Sequence, residues 1–482
     1  MRFGKAVWLA LCHLLMSLPR VAAGPGGYVT LINGSPYDWK LTYSHSYQMD
    51  WKPAAVIPAG RSHQQYLEFW YHWGENGDSA AEATYELVGS PEKATFQLQA
   101  RQSNGKKIRV QYLDNLTSLN NQRHSLIDLG FEHDGSVLFV LDGDGQEPYI
   151  SSHPPAGWMN VTLSTIKSKS LREIAIPASH NAGMSENNIF FGGIAHNTET
   201  QSLKMHEQLL NGARWFDIRP YYNGLKIDTC QWYTGHFSKL SGGKDVVGGV
   251  GQSIKNIVNS INDFTERYPG ELIILDMSHE LSREVQGVGF KWSYTPDQWQ
   301  YLYELMGRIK DLWITNGTIP TDYSSVPLST FIQPGSRSAV LIRIPDHAPL
   351  PLEVATKYYE YLPLSPFVRE SNLSLTGSYT NTEDPNTLTS DQLKKLRDLR
   401  PSRESMIQRS TWTITPGLGK LMDIFNAKNS IIGQAVHAHR KLFSNLWPAL
   451  TKSTYPNLIE VDNINSQITA LCMAINNRFA RQ

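Results

Sequence analysis

Between residues 28 and about 150 the pattern of short apolar runs, in places alternating with polar residues, reads as all-β. The run YLEFWYHW puts Leu67, Phe69, Tyr71 and Trp73 on one face of a strand. ATFQLQARQ and KKIRVQYL are further strand-like runs, and SVLFVLDGDG ends in a turn. Short strands separated by Gly, Asn and Asp predict a β-sandwich. HPPAG, from His153 to Gly157, marks the expected boundary, so the pattern divides the chain into 24–153 and 154–482.

Beyond about residue 160 the rhythm changes. LREIAIP, ARWFDIRP, ELIILDMSHE, AVLIRIP and NLIEVDNI are compact apolar runs. Between and after them come helical patterns. Ile254, Ile257, Val258, Ile261 and Phe264 recur at helical spacing until Pro269 and Gly270 stop them. Thr295-Pro296-Asp297-Gln298 is a capped helix start, leading into DQWQYLYELMGRIKDLW, and SQITALCMAINNRF is the last helix. Strands that alternate with helices over some 320 residues predict a parallel sheet with helical crossovers. The runs are nearly continuous in Ile, Leu and Val, as burial on both faces demands. A closed (β/α) barrel and an open doubly wound sheet both fit. No G-x-G-x-x-G follows a strand, which weakens the dinucleotide-binding form of the open sheet. The segment from 345 to 440 shows few strands.

Lysine and arginine together number 44, as do aspartate and glutamate, so net charge provides no attraction for nucleic acid or an anionic membrane. The first residues carry Arg2 and Lys5, then an apolar run, then Val21-Ala22-Ala23. That is the pattern of a secretory signal peptide, residues 1–23, and predicts a secreted chain. The mature chain would keep Cys230 and Cys472, enough for one disulfide. Sequons at Asn33, Asn115, Asn160, Asn316 and Asn372 agree with a secreted glycoprotein.

The predicted strands end in chemistry. His180 follows the first; Asp217 and Arg219 close the second; Asp276, His279 and Glu280 close the third. Arg343 closes a later strand and Asp462 the last. Parallel α/β folds bind ligands at these C-terminal strand ends, so five ionisable strand ends on one rim predict an active site. H-E-x-x-H and G-x-S-x-G are both absent, leaving zinc peptidase and serine hydrolase chemistry unsupported. Histidines can remove and return protons near neutrality, and a guanidinium can hold two phosphate oxygens. Cleavage of a phosphodiester by a neighbouring hydroxyl needs those parts.

Taken together, LREIAIPASHNAG, GARWFDIRP, YTGHFS, GQSIKNIVNSINDFTERYPGELIILDMSH, AVLIRIP and LIEVDNI resemble the X domain of phosphatidylinositol-specific phospholipase C. The similarity is to the bacterial type and its secreted fungal relatives, over roughly residues 155 to 480. It implies a distorted (β/α)8 TIM-type barrel behind a smaller all-β unit. It also implies a monomer that touches a membrane surface transiently, with an inositol phospholipid or glycosylated lipid anchor as substrate. His180 matches the general base, Arg219 the phosphate-binding arginine, and Asp462 the carboxylate that orients the base. Asp217 would fix Arg219, and Arg343 would contact inositol or phosphate. His236 matches the general acid, with His279 in reserve. In the bacterial type this histidine precedes a glycine, whereas Gly235 precedes His236; Asn181 stands where that type has the acid's partner aspartate. Arg219 occupies the place of an acidic calcium ligand in metal-dependent members, so the resemblance implies neither metal nor cofactor. Two alternatives stay open: a barrel that binds lipid or glycan without turnover, and a divalent-metal phosphodiesterase drawing on Asp217, Asp276 and Glu280.

Overall fold

The computed structural model describes residues 24–70, 77–191, 193–224, 231–239, 246–283, 289–315, 318–351, 366–417 and 426–480. The expected signal peptide, Tyr71, Trp73, Cys230 and Asn316 lie outside them.

Residues 26–151 form a five-stranded and a six-stranded sheet. Val29, Leu31, Leu67 and Phe69 from the first meet Trp39, Tyr85, Phe96 and Leu98 from the second in one core. In the strand Ser136–Asp142 every residue is buried. Val137, Phe139 and Leu141 face the sandwich core, whereas Leu138 and Val140, with Ile32 of Gly26–Asn33, join the core of the C-terminal part. Burial on both faces explains why SVLFVLD is apolar without alternation.

The C-terminal part is built on eight parallel strands: β1 (Ile176–Ser179), β2 (Trp215–Ile218), β3 (Leu272–Met277), β4 (Ala339–Ile344), β5 (Phe367–Arg369), β6 (Leu375–Thr376), β7 (Ile407–Trp412) and β8 (Leu458–Val461). Their spatial order is β5-β4-β3-β2-β1-β8-β7-β6. The two edge strands β5 and β6 are neighbours in sequence, joined by the 3₁₀ turn Glu370–Asn372. So short a link requires the sheet to curl round until its edges meet, as a barrel does. No ladder joins β5 to β6 among the described residues, so the barrel has a seam.

Helices pack outside. In α1 (Ile254–Arg267) the Ser253 hydroxyl caps the Asn256 N–H, and the apolar positions foreseen at helical spacing are buried. α2 (Pro296–Met306) opens with the reciprocal Thr295–Gln298 capping box and ends at Gly307, short of its apolar pattern. α3 (Pro385–Leu399), α4 (Ile431–Ala449) and α5 (Ser466–Ile475) complete the shell. LREIAIP departs from the expected strand at its start. Leu171–Glu173 is a 3₁₀ turn, because the Glu173 carboxylate accepts the Ser170 N–H at 2.9 Å. Cys472, in the middle of α5, is a free buried thiol. Asn33 is buried, and its amide donates to the Tyr37 and Ile57 carbonyls at 2.8 and 2.9 Å. That sequon is incompatible with a glycan in the folded chain.

A fourth sheet, six-stranded, stands at the barrel mouth. Its strand Pro220–Asn223 continues β2 after the single residue Arg219, and Leu281–Arg283 follows β3 after Ser278, His279 and Glu280. These linking residues sit where the chain leaves one sheet for another.

Candidate active site

The parallel ladder of β1 and β8 pairs Ser179 with Val461. The next residues, His180 and Asp462, therefore emerge side by side. His180 Nδ1 lies 2.6 Å from Asp462 Oδ1, and both side chains are buried. Gln201 ties these two strand ends together. Its amide donates to the His180 and Val461 carbonyls at 2.8 and 3.1 Å and accepts the Ile464 N–H at 2.9 Å. From α4, His439 Nε2 donates to the Asp462 carbonyl at 2.9 Å.

Arg219 Nη2 lies 2.8 Å from His180 Nε2. A guanidinium only donates, so Nε2 is the acceptor. His180 is therefore neutral, with its proton on Nδ1 and directed at Asp462. Arg219 in turn is held by Asp217, whose Oδ2 accepts Nε at 3.0 Å and lies 2.9 Å from Nη2. The same oxygen accepts the Asn181 N–H at 3.0 Å. Burial opposes ionisation of Asp217, but the Arg219 guanidinium, followed by the His180 and His279 imidazoles, holds its carboxyl far below the usual carboxylate range. Arg219 is correspondingly pushed up by Asp217 despite its own burial.

His236 comes from the mouth sheet, in the strand Trp232–Lys239, rather than from a barrel strand or a loop. Its Nδ1 donates to the Thr198 carbonyl at 3.0 Å. Burial first, then Arg219 and His180, lowers its pKa to about 3. His279 has a left-handed backbone, φ +54°, and its Nδ1 lies 2.9 Å from Ser278 Oγ. His180, Arg219, His236, His279 and Asp462 all line one cavity of about 210 Å³. A larger cleft of about 570 Å³, beside His153 and Tyr268, holds none of them.

The other residues singled out by sequence stand apart from this cavity. Asp217 lies behind Arg219. Asn181, at φ +42°, is fully buried, and neither its Oδ1 nor its Nδ2 has a hydrogen-bond partner among the described residues. Arg343 is spent elsewhere: it bonds Asp276 at 2.6 Å, Glu370 at 3.2 Å and the Leu373 carbonyl at 2.9 Å. Glu280 accepts from His347 at 2.6 Å and from the Tyr294 N–H at 3.1 Å.

Sequence reasoning missed Tyr379. Its ring centroid is 5.3 Å from that of His180, its hydroxyl is 3.4 Å from Arg219 Nη2, and the Arg409 guanidinium lies 5.5 Å from its centroid. The aromatic residue in GSYTNTEDP follows no periodicity, so no pattern marked it. The polar lining from Thr200 and Thr413 was equally silent. Gln201 lay in a stretch without strand or helix pattern.

No protein-family model matches the chain, and no curated protein does. Among solved structures it is similar to a phosphatidylinositol-specific phospholipase C from Staphylococcus aureus, at TM-score 0.44 and 14% identity, over 67% of this chain and 98% of that one. The phosphatidylinositol-specific phospholipase C from Listeria monocytogenes aligns at TM-score 0.40 and 17% identity, over 67% of this chain and 100% of that one. At such scores, function has to be argued from the side chains.

Proposed function

We propose that this chain is a secreted phosphodiesterase that cleaves inositol phospholipids, or lipid anchors built on them, by attack of a neighbouring ring hydroxyl on phosphorus. The observation that carries this reading is the Asp462–His180–Arg219 line: a neutral imidazole oriented by a buried carboxylate, with a guanidinium at its basic nitrogen. Phosphate oxygens would draw Arg219 to themselves, freeing Nε2 to take the hydroxyl proton. Asp462 would then stabilise the imidazolium, as a carboxylate does in a catalytic triad. Arg219 would neutralise charge building on the phosphorus oxygens. Tyr379 would supply an apolar wall beside the base.

The fixed charge of Arg219 supports a mechanism independent of metal. The acids that could serve a metal-dependent barrel are already engaged: Asp217 by Arg219, Asp276 by Arg343, Glu280 by His347. Among the described residues no cluster of three His, Cys, Asp or Glu is arranged for a metal ion. A second reading, binding without turnover, draws on one observation: His236 has a carbonyl, not a carboxylate, behind its ring.

The kinetic test is His180→Ala on phosphatidylinositol vesicles. Loss of the base should lower the rate by roughly 10²–10⁴-fold, and full turnover by the variant would refute the assignment. Secretion rests on the charged and apolar pattern of residues 1–23. Terminal sequencing of protein recovered from the medium should start at Gly24, and a retained Met1 would count against it.

A further inference from the structure

Two cavity histidines are candidates to protonate the leaving oxygen, and what stands behind their rings differs. His236 gives its Nδ1–H to a neutral carbonyl, that of Thr198, at 3.0 Å. Behind His279 runs a chain: Nδ1 is 2.9 Å from Ser278 Oγ, and that hydroxyl is 2.5 Å from Asp217 Oδ1. Asp217 is ionised, so it can only accept, and the one hydroxyl hydrogen of Ser278 must go to it. Ser278 Oγ then accepts from His279 Nδ1–H. That leaves Nε2 of His279 as the atom that gains and loses a proton at the cavity.

We propose that His279, rather than His236, is the general acid of the reaction, with Ser278 and Asp217 as the residues that position and support it. The inference rests on the phosphodiester reading given above. In the step, the attacking hydroxyl forms the new O–P bond and its proton passes to His180 Nε2. The bond from phosphorus to the leaving oxygen breaks, its electron pair stays with that oxygen, and the proton on His279 Nε2 completes the alcohol. His180 and His279 end with exchanged protonation states, which solvent restores.

The charged and titratable groups around His279 are Asp217 and Arg219 from the end of β2, His180 from β1 and Arg409 from β7. Desolvation by the surrounding cavity wall first and Arg219 second lower His279 to about 4, with Asp217 raising it, although the residue is exposed at the mouth. A phosphate against Arg219 cancels part of that depression and leaves the support of Asp217 in place, so substrate itself charges the acid.

The test compares two leaving groups: the diacylglycerol of phosphatidylinositol, which needs a proton, and the nitrophenolate of inositol 4-nitrophenyl phosphate, which leaves without one. His279→Asn, chosen because asparagine tolerates the left-handed backbone, should lose ~10²–10⁴-fold on the lipid and stay within about tenfold of wild type on the nitrophenyl ester. His236→Gln should affect both substrates alike. Ser278→Ala should move the alkaline limb of the kcat profile to lower pH, with an unchanged melting temperature. Equal losses of His279→Asn on both substrates, or the leaving-group split appearing in His236→Gln instead, would overturn the proposal. Wild-type protein inert on both would overturn the phosphodiester reading beneath it.

Discussion

The imidazole of His180 has a different partner at each nitrogen, and the difference sets its state. Asp462 accepts the hydrogen bond from Nδ1–H at 2.6 Å, and Arg219 approaches Nε2 at 2.8 Å. A lysine at 219 would keep a positive charge but lose the planar fork that reaches Asp217 and His180 together. Arg219→Lys should therefore lower kcat by on the order of 10²-fold, with a smaller change in KM. Steady-state kinetics on inositol phospholipid would check this, and an unchanged kcat would show that the guanidinium does not act on the transition state. At this scale His180, Asp217, Arg219 and Asp462 were legible because each ends an apolar run, and the structure brings them together. Tyr379 was not, because it sits in a connection whose position is set by β6, a strand of two residues. Arg343 shows the converse. It ends a clear strand, but register puts it opposite Asp276, which claims it.

Among the elements, α4 reaches from the site to the N-terminal sheets. His439 touches the Asp462 carbonyl, while Arg440 donates to the Asp134 carbonyl and covers the Tyr28 ring at 4.6 Å. Burial lowers His439 from 6.5 to about 4, with its bond to Asp462 opposing. Between those values the unfolded chain binds the proton more readily than the folded one, so the stability tied to neutral His439 is complete above pH 6.5 and fades toward pH 4. Its full loss amounts to about 3 kcal/mol. His439→Gln keeps a donor and removes the titration. The variant should show a flatter melting temperature from pH 7 down to pH 4, and an unchanged slope by calorimetry would contradict the burial argument. Strands and helices with one clear period were read close to their observed bounds, as with β3, β4, β8 and α1. β7 was not, since IQRSTW carries polar side chains: Arg409 approaches Glu460 at 3.8 Å, and Thr411 bonds it at 3.1 Å. A strand that supplies such polar groups loses the apolar signature that would reveal it. His236 is another such case, because nothing in YTGHFS distinguishes a loop from a strand of a sheet raised over the mouth.

In the whole molecule the N-terminal sheets brace the barrel from the side of α4 and α5. Gln467 accepts the Leu138 N–H at 2.6 Å and donates to the Leu129 carbonyl at 3.0 Å, and the Trp447 indole donates to Gly60 at 3.2 Å. Ile32, Leu138, Val140 and Ile150 complete the barrel's own core, so the β unit stiffens the helices that carry His439 and flank β8. The site thus rests on a braced frame, which suits chemistry that depends on fixed donors more than on closure around substrate. In the proposed reaction a guanidinium and an imidazole, without a metal ion, drive attack by a neighbouring hydroxyl. Phosphorus NMR of phosphatidylinositol treated with the protein in excess chelator tests it most directly. The resonance of a five-membered cyclic inositol phosphate should appear before any open monoester; an open monoester from the outset, or turnover only after a divalent ion is restored, would contradict metal-free attack by the ring hydroxyl.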